Sequence, residues 1–283
     1  MGQKIAISGR SQSTLDNYAT KIASLCLHFN CMPEHLDQEQ IQDYLSKLTG
    51  LEASPSLSGF KHAVYGLRFY FRLMELGDRS VDLPVIHNKH QLPVVLSKEE
   101  CKLVFKTPNL LKHKMVLAFI YSCGLRVSEL SNMKIGDVDF FHSMVHIRQG
   151  KGNKDRYVPL SKLIADPLKK YLFSERPKTY LFEGMEPGKY YSQRAIQHLM
   201  SEVVKKSSIL KEGVCVHTLR HSFATHLLED GLDIVTIKNL LGHANIETTM
   251  VYLHIMQPKS KTAFSPFDTL YIKAVSPDVK SVK

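Results

Sequence analysis

Residues 217–252 read HTLRHSFATHLLEDGLDIVTIKNLLGHANIETTMVY. Among its residues are His217 and His243, together with Arg220 and Tyr252. Fixed cationic donors stabilise the negative charge that spreads over the oxygens of a phosphodiester under attack. A general base accepts the proton of the nucleophile, and a general acid donates a proton to the leaving group. A tyrosine oxygen can be the nucleophile if a base or a positive field helps it to lose its proton. The set therefore predicts phosphoryl transfer without a metal ion.

The apolar pattern around these residues predicts three short helices. Leucine and phenylalanine recur at helical spacing from 218 to 229, and a second helix is predicted over 233–241, with Gly242 as its left-handed C-terminal cap. Asn245 is predicted to be the N-cap of a third helix, which carries Tyr252 in its last turns. Three short helices of this kind can bring the four side chains together.

Metal binding is the main alternative for the histidines and cysteines. His217 and His221 stand four residues apart, as zinc ligands can, but the His-Glu-x-x-His pattern and a nearby cysteine pair are both missing. Cys26, His28 and Cys31 lie within a helical apolar pattern, which favours core packing. We therefore expect no metal and no other cofactor.

The order and spacing of these motifs resemble the signature of tyrosine recombinases. Members of that family carry an upstream arginine, which Arg126 matches within YSCGLRVSEL at 121–130. They also carry a lysine in a β-hairpin turn, which Lys151 matches within VHIRQGKGNKDRYVP at 145–159. In size and layout the chain is most similar to the Xer-type and integron-type members.

The hairpin is also predicted from the residues themselves. Apolar and polar residues alternate over 144–148, residues 157–158 begin a similar run, and 150–153 are rich in turn formers. A lysine at such a tip can reach into a groove, whereas a solvated basic loop is the alternative interpretation. Lys154 is the main rival of Lys151 for a catalytic role.

The resemblance implies a role for each matching residue. Tyr252 attacks the scissile phosphate, which gives a 3′-phosphotyrosyl link and a free 5′-hydroxyl. His217 accepts the tyrosine proton, and Lys151 donates a proton to the departing 5′-oxygen. Arginines bind the non-bridging oxygens, and His243 adds a hydrogen bond to them. The implied catalytic set is Arg126, Lys151, His217, Arg220, His243 and Tyr252.

The resemblance also implies a mainly α fold with two domains. A helical, SAM-like core-binding domain is expected over 1–82, followed by a linker at 83–93. The catalytic domain, mostly helical with a small antiparallel β-sheet, is expected over 94–258. The remaining residues, 259–283, form a tail that is expected to dock onto a neighbouring subunit.

A helix predicted over 58–76 is the clearest feature of the first domain. Lys61 and Arg68 on this helix are candidate contacts to DNA phosphates, although a solvated helix face is an equally good interpretation. The predicted core stripe of the helix consists of Phe60, Val64, Leu67, Phe71 and Met74.

Composition agrees with a DNA-acting protein. The chain has 283 residues and 43% hydrophobic residues, which is enough for two cores, and its net charge of +10 suits a polyanionic partner. Five cysteines without a Cys-x-x-Cys pair argue against a disulfide framework. The sequence has no apolar segment long enough for export or for a membrane span, so we expect a cytoplasmic protein without a membrane partner.

Site-specific recombination is the function that the resemblance implies, in mobile-element integration or in chromosome-dimer resolution. The implied partner is double-stranded DNA with inverted-repeat sites, bound by a homo-tetramer. Two alternatives remain open. A type IB topoisomerase uses a similar set of residues but relaxes supercoils without exchanging strands, and a DNA-binding regulator would have no catalytic activity.

Overall fold

The fold consists of two compact units, Met1–His90 and Gln91–Lys283. In the part of the chain that the structure describes, both units are mostly helical, and the second also contains a small antiparallel sheet. The expected mainly α fold with a small sheet is confirmed. The computed structural model describes residues 12–50, 57–77, 92–148 and 155–255, together with Gly9 and Val81.

The first unit contains helices α1 (Gln12–Phe29), α2 (Gln38–Gly50) and α3 (Leu57–Leu73). Helices α1 and α2 both pack against α3. Four of the five apolar residues predicted as a stripe on α3 are buried in this core, namely Phe60, Val64, Leu67 and Phe71.

The prediction that Met74 belongs to the same stripe is wrong. Helix α3 ends at Leu73, and Glu75 adopts a left-handed backbone conformation with φ 61°. The chain therefore turns away from the helix axis at this point, and Met74 is 41% exposed.

The second unit is built around a central helix, α5, most of which is buried. Val116, Leu117, Phe119 and Ile120 of α5 are fully buried, so the helix is covered on several sides by its neighbours α4, α7 and α9. The helices of this unit are α4 (Lys98–Lys106), α5 (Leu111–Cys123), α6 (Val127–Asn132), α7 (Lys162–Glu175), α8 (Gln193–Lys206), α9 (Val216–Glu229), α10 (Ile234–Leu241) and α11 (Glu247–Met250).

The predicted hairpin is present in the sheet. Strands β1 (Val138–Asp139), β2 (Met144–Ile147) and β3 (Arg156–Pro159) pair in that order, all antiparallel. Ile147 lies opposite Arg156, so residues 148–155 connect β2 to β3. Lys151 and Lys154 belong to this connection, but residues 149–154 lie outside the described part.

Both ends of helix α10 lie where the sequence predicts. The Asp233 side chain accepts hydrogen bonds from two backbone N–H groups of the first turn, at 3.0 and 2.9 Å. At the other end Gly242 caps the helix in a left-handed conformation, with φ 64°.

The predicted N-cap of the third helix is wrong by one residue. An N-cap residue supplies the carbonyl of the first helical hydrogen bond. The Ile246 carbonyl accepts from the N–H groups of Thr249 and Met250, so the cap is Ile246 and not Asn245. Helix α11 is correspondingly short, and Tyr252 lies in a 3₁₀ turn, Val251–His254, that follows it.

Two predicted segments fall mainly or wholly outside the described residues. These are the linker at 83–93, of which only residues 92 and 93 are described, and the tail at 259–283. Among the helices that are described, none has the length and apolar character needed to cross a membrane.

Gly124 is a position where the fold requires glycine. It ends α5 in the left-handed conformation, with φ 58°, and an added Cβ would lie 2.5 Å from the Phe223 ring. We expect Gly124→Ala to lower the free energy of unfolding by about 2 kcal/mol or more, through backbone strain and overpacking. Urea denaturation measures this change.

Gly136→Ala is the matched control for this substitution. An added Cβ at Gly136 would meet nothing within 4 Å, and its φ lies outside the left-handed range. A loss of stability at Gly136 equal to that at Gly124 would contradict the explanation.

Candidate active site

Three guanidinium groups surround the carboxylate of Glu129, which is buried in the first turn of α6. Arg126 donates to Oε1 at 2.7 Å, and Arg156 donates to Oε1 and Oε2 at 2.9 and 2.8 Å. Arg220 lies 3.7 Å from Oε2. Because three positive charges share one negative charge within this cluster, it retains a net positive charge that attracts an anion.

The cluster also holds Glu129 in its charged form. Burial by itself raises the pKa of this carboxyl group. The hydrogen bonds and charge of Arg156, the Arg126 backbone N–H and the charge of Arg220 outweigh burial and lower the pKa to about 2. Glu129 is therefore ionised throughout the physiological pH range.

The C-terminal end of α10 holds the same arginines from a second side. The last carbonyls of a helix have no partner within the helix and carry partial negative charge. Here three consecutive carbonyls each accept a hydrogen bond from a different guanidinium. The pairs are Arg156 Nε with Leu240 at 2.8 Å, Arg220 Nη2 with Leu241 at 2.6 Å, and Arg126 Nη2 with Gly242 at 3.4 Å.

Arg220 is the most deeply buried of the three arginines, with 3% of its side chain exposed. Its Nη1 donates to the Gly124 carbonyl at 2.6 Å, in addition to the bond with α10. Burial and the charge of Arg126 lower its pKa to about 9, against the opposing effect of Glu129. Arg220 is thus charged at neutral pH and held in one orientation before any ligand binds.

Tyr252 is buried beside these arginines. Its hydroxyl oxygen lies 3.1 Å from Nδ1 of His221. Burial raises the pKa of the phenol, while the charges of Arg220 and Arg126 act in the opposite direction. The phenol is therefore protonated at neutral pH, and any attack by its oxygen would require the loss of this proton.

The two candidate histidines, His217 and His243, lie on different elements, and a third histidine, His221, contacts the tyrosine. Partial desolvation by the surrounding protein and the charges of Arg220 and Arg126 lower the pKa of His217, whose ring lies 5.8 Å from that of His221. His243 directly follows the cap of α10, and its Nδ1 lies 2.8 Å from Thr249 Oγ1. The hydrogen bond described for Tyr252 joins it to His221. Proton transfer from Tyr252 to His217 stays a prediction.

The structure brings most of the predicted set into one site. Arg126 and Arg220 meet on Glu129, and both act electrostatically on His217 and Tyr252. His243 directly follows Gly242, whose carbonyl accepts a hydrogen bond from Arg126, and Lys151 lies outside the described residues. The catalytic role of each residue stays a prediction.

The candidate DNA contacts of the first unit, Lys61 and Arg68, are both half-buried on α3. Arg68 Nε donates to the Val81 carbonyl at 2.6 Å, so this guanidinium also has a structural role. Both contacts stay predictions. In the described ranges, three or more His, Cys, Asp or Glu side chains nowhere gather in a group that could hold a metal ion.

Sequence reasoning gave no role to three residues that the structure places in the site: Glu129, Arg156 and His221. Glu129 stands three residues after Arg126, at the spacing of a capping box, and its carboxylate accepts from the Arg126 backbone N–H at 2.8 Å. Arg156 shares the inward face of β3 with Val158, where a charged side chain needs a buried partner. His221 lies one helical turn after His217 on α9.

Comparisons with known proteins agree on one family. Residues 94–258 match the model of the phage integrase family. A putative integrase/recombinase of Sinorhizobium fredii is 34% identical over 279 residues, which cover 98% of this chain and 90% of that protein. The tyrosine recombinase XerA of Pyrococcus horikoshii is 33% identical over 254 residues, covering 89% and 86%.

A solved structure shares the fold. The crystal structure of a lambda integrase tetramer bound to a Holliday junction matches with a TM-score of 0.71 at 18% identity. The match covers 88% of this chain and 74% of the lambda integrase chain.

Acid denaturation tests the charged state of Glu129. The pKa is about 2 in the folded protein against an ordinary value of 4.5, so the unfolded chain binds this proton more readily. The contribution to stability is present above pH 4.5 and is lost as the pH falls to about 2. We expect a loss of about 3 kcal/mol over this window, from the size of the shift.

Glu129→Gln removes the titrating group and should remove this part of the pH dependence, besides lowering stability at pH 7 by about 3 kcal/mol. Urea denaturation at several pH values measures both effects. Glu99→Gln is the control, because that side chain is 77% exposed and pairs with Lys102 at the surface. An unchanged acid slope in Glu129→Gln would show that the carboxylate is not held as described.

Proposed function

The chain belongs to the phage integrase family of tyrosine recombinases, and from this premise we propose that it is a site-specific DNA recombinase. It cleaves and rejoins DNA strands through a covalent 3′-phosphotyrosyl intermediate. The observation that carries the proposal is the burial of the Tyr252 hydroxyl beside Arg126 and Arg220, two arginines that are fixed by Glu129 and by α10. The relatives do not favour the type IB topoisomerase alternative.

Cleavage exchanges one phosphate ester for another. The Tyr252 oxygen bonds to phosphorus, the bond from phosphorus to the 5′-oxygen breaks, the phenol proton leaves, and the 5′-oxygen takes up a proton. Because the phosphotyrosyl ester keeps the energy of the broken bond, a second 5′-hydroxyl can reverse the step on another strand. The reaction requires no high-energy cofactor.

Arg126 and Arg220 bind the non-bridging oxygens of the scissile phosphate. Donors that are already oriented stabilise the developing charge without reorganising during the reaction. Glu129 and the carbonyls of α10 orient these two guanidiniums in the free protein. His243, which follows the same helix end, adds a hydrogen bond to the phosphate. His217 receives the phenol proton.

Lys151 is the proton donor to the departing 5′-oxygen. The pairing of Ile147 with Arg156 supports this role, because Arg156 contacts Glu129 and so brings the base of the hairpin to the arginine cluster. A lysine is protonated at neutral pH and is therefore a suitable general acid.

The partner is double-stranded DNA with inverted-repeat sites, bound by a homo-tetramer. The net charge of +10 supports a polyanionic partner. The lambda integrase of similar fold is a tetramer on a Holliday junction, which supports the assembly. Symmetric protein assemblies match symmetric DNA sites, which supports inverted repeats. The five free cysteines are typical of a reducing compartment and support a cytoplasmic location.

Trapping of the covalent intermediate tests the proposed function. A nicked duplex, made from inverted repeats that flank the gene, loses its short 5′-hydroxyl fragment after cleavage, so the wild-type adduct accumulates. We expect this adduct with the wild type and none with Tyr252→Phe, because the phenol oxygen is the nucleophile. Denaturing gel electrophoresis detects the adduct, and gel-shift assays check that both proteins bind the DNA. An adduct with Tyr252→Phe at the wild-type level would contradict the assignment.

A modified leaving group identifies the general acid. We expect Lys151→Ala to slow cleavage about 100-fold, because the 5′-oxygen then departs without a proton. A substrate with sulfur in place of that 5′-oxygen should restore the rate, since a thiolate leaves without protonation. The control is Lys154→Ala, which should cleave both substrates at wild-type rates. The opposite pattern would assign the acid to Lys154.

A further inference from the structure

The side chain in contact with the Tyr252 hydroxyl is one to which the implied catalytic set gives no role. His221 lies on α9 immediately after Arg220, and its Nδ1 is 3.1 Å from the phenol oxygen. We infer that His221 orients the nucleophile: its Nδ1 accepts the hydrogen bond of the Tyr252 hydroxyl and so directs the oxygen towards the phosphate. This inference rests on the proposed function.

The environment of His221 suits an acceptor. A neutral imidazole that carries its proton on Nε2 offers the lone pair of Nδ1. Burial, with His217 and Arg220 nearby, lowers the pKa of His221 to about 4, so the ring is neutral at physiological pH. An imidazole with so low a pKa is a weak base, which suits holding the phenol in the free protein. During the attack the hydrogen bond to His221 breaks and the phenol proton passes to His217.

The position of His221 next to Arg220 explains how its hydrogen bond to Tyr252 aligns the phenol oxygen. Tyr252 lies in a short 3₁₀ turn, whereas His221 and Arg220 are successive residues of α9, and Arg220 is fixed by two carbonyls. A hydrogen bond from the turn to this helix therefore sets the phenol oxygen relative to the phosphate-binding guanidinium. Small errors in such an alignment are costly, since a displacement of about 1 Å can slow a reaction about 100-fold.

Helix α9 also contains a matched pair for comparison. His226 lies five residues after His221, and its Nδ1 is 2.8 Å from the hydroxyl of Tyr121. This second histidine–tyrosine pair joins the same two atom types, with His226 on α9 and Tyr121 on α5, and His226 is buried. It involves none of the residues in the proposed catalytic set. Loss of either pair removes one comparable hydrogen bond from the fold. Only the His221–Tyr252 pair includes the proposed nucleophile.

The experiment compares His221→Phe, His221→Asn and His226→Phe in the full chain. Phenylalanine keeps the ring and removes the acceptor, whereas the Asn Oδ1 can replace Nδ1. We expect His221→Phe to slow adduct formation on the nicked duplex about tenfold or more, from the loss of one hydrogen bond and of alignment. His221→Asn should stay within about threefold of the wild type, and His226→Phe should cleave at the wild-type rate.

A spectroscopic measurement separates this inference from the proposed function. 3-Fluorotyrosine at position 252 reports on the phenol in the absence of DNA. Its ¹⁹F resonance should move in His221→Phe and stay in place in His226→Phe. If the wild type forms no adduct, the proposed function fails while the ¹⁹F result still tests the contact.

Two results would overturn the inference. One is a wild-type cleavage rate in His221→Phe, and the other is an equal loss of rate in His221→Phe and His226→Phe, which would indicate a general effect on the fold. Should His221→Phe fail to fold, as judged by circular dichroism, His221→Ala has the same expected outcome.

Discussion

The single carboxylate of Glu129 is the constraint on which the site depends. Three guanidiniums cannot lie so close together without a counter-charge, because their repulsion and their desolvation would both oppose folding. Glu129 supplies that charge, and the C-terminal carbonyls of α10 supply the remaining acceptors. The arginines come from three separate parts of the chain, so this one contact fixes the relation of α6, β3 and α9.

The same arrangement explains how the site can be positive and still be stable. Donors that a buried carboxylate has already oriented do not need to reorganise when a phosphate arrives, and their excess charge is available to it. The proposed nucleophile, Tyr252, is held in a similar way. It lies in a short 3₁₀ turn, and its hydroxyl is hydrogen-bonded to His221 on helix α9. Stability and chemistry thus depend on the same contacts, so substitutions here are expected to affect both.

Sequence reasoning identified the ends of α10 and the two strands of the hairpin, because Gly242 and the alternating strands carry local signals, whereas Arg126 was assigned from the family resemblance. It failed where a residue acts through distant partners. Nothing local showed that Glu129 pairs with Arg156 across the fold, or that the hydroxyl of Tyr252 contacts His221. It also misplaced the cap at Asn245, since the tight first turn of α11 is closed by the Ile246 carbonyl.

We propose that a carboxylate-anchored pair of arginines receives the scissile phosphate while Tyr252 attacks it. A crystal structure of the protein with nicked DNA and orthovanadate, which imitates the five-coordinate phosphorus, tests this claim most directly. We expect Tyr252 to be an apical ligand of vanadium, and Arg126 and Arg220 to donate to the equatorial oxygens while Arg126 keeps its bond to Glu129. A structure in which Arg126 has left Glu129, or in which another side chain is apical, would contradict it.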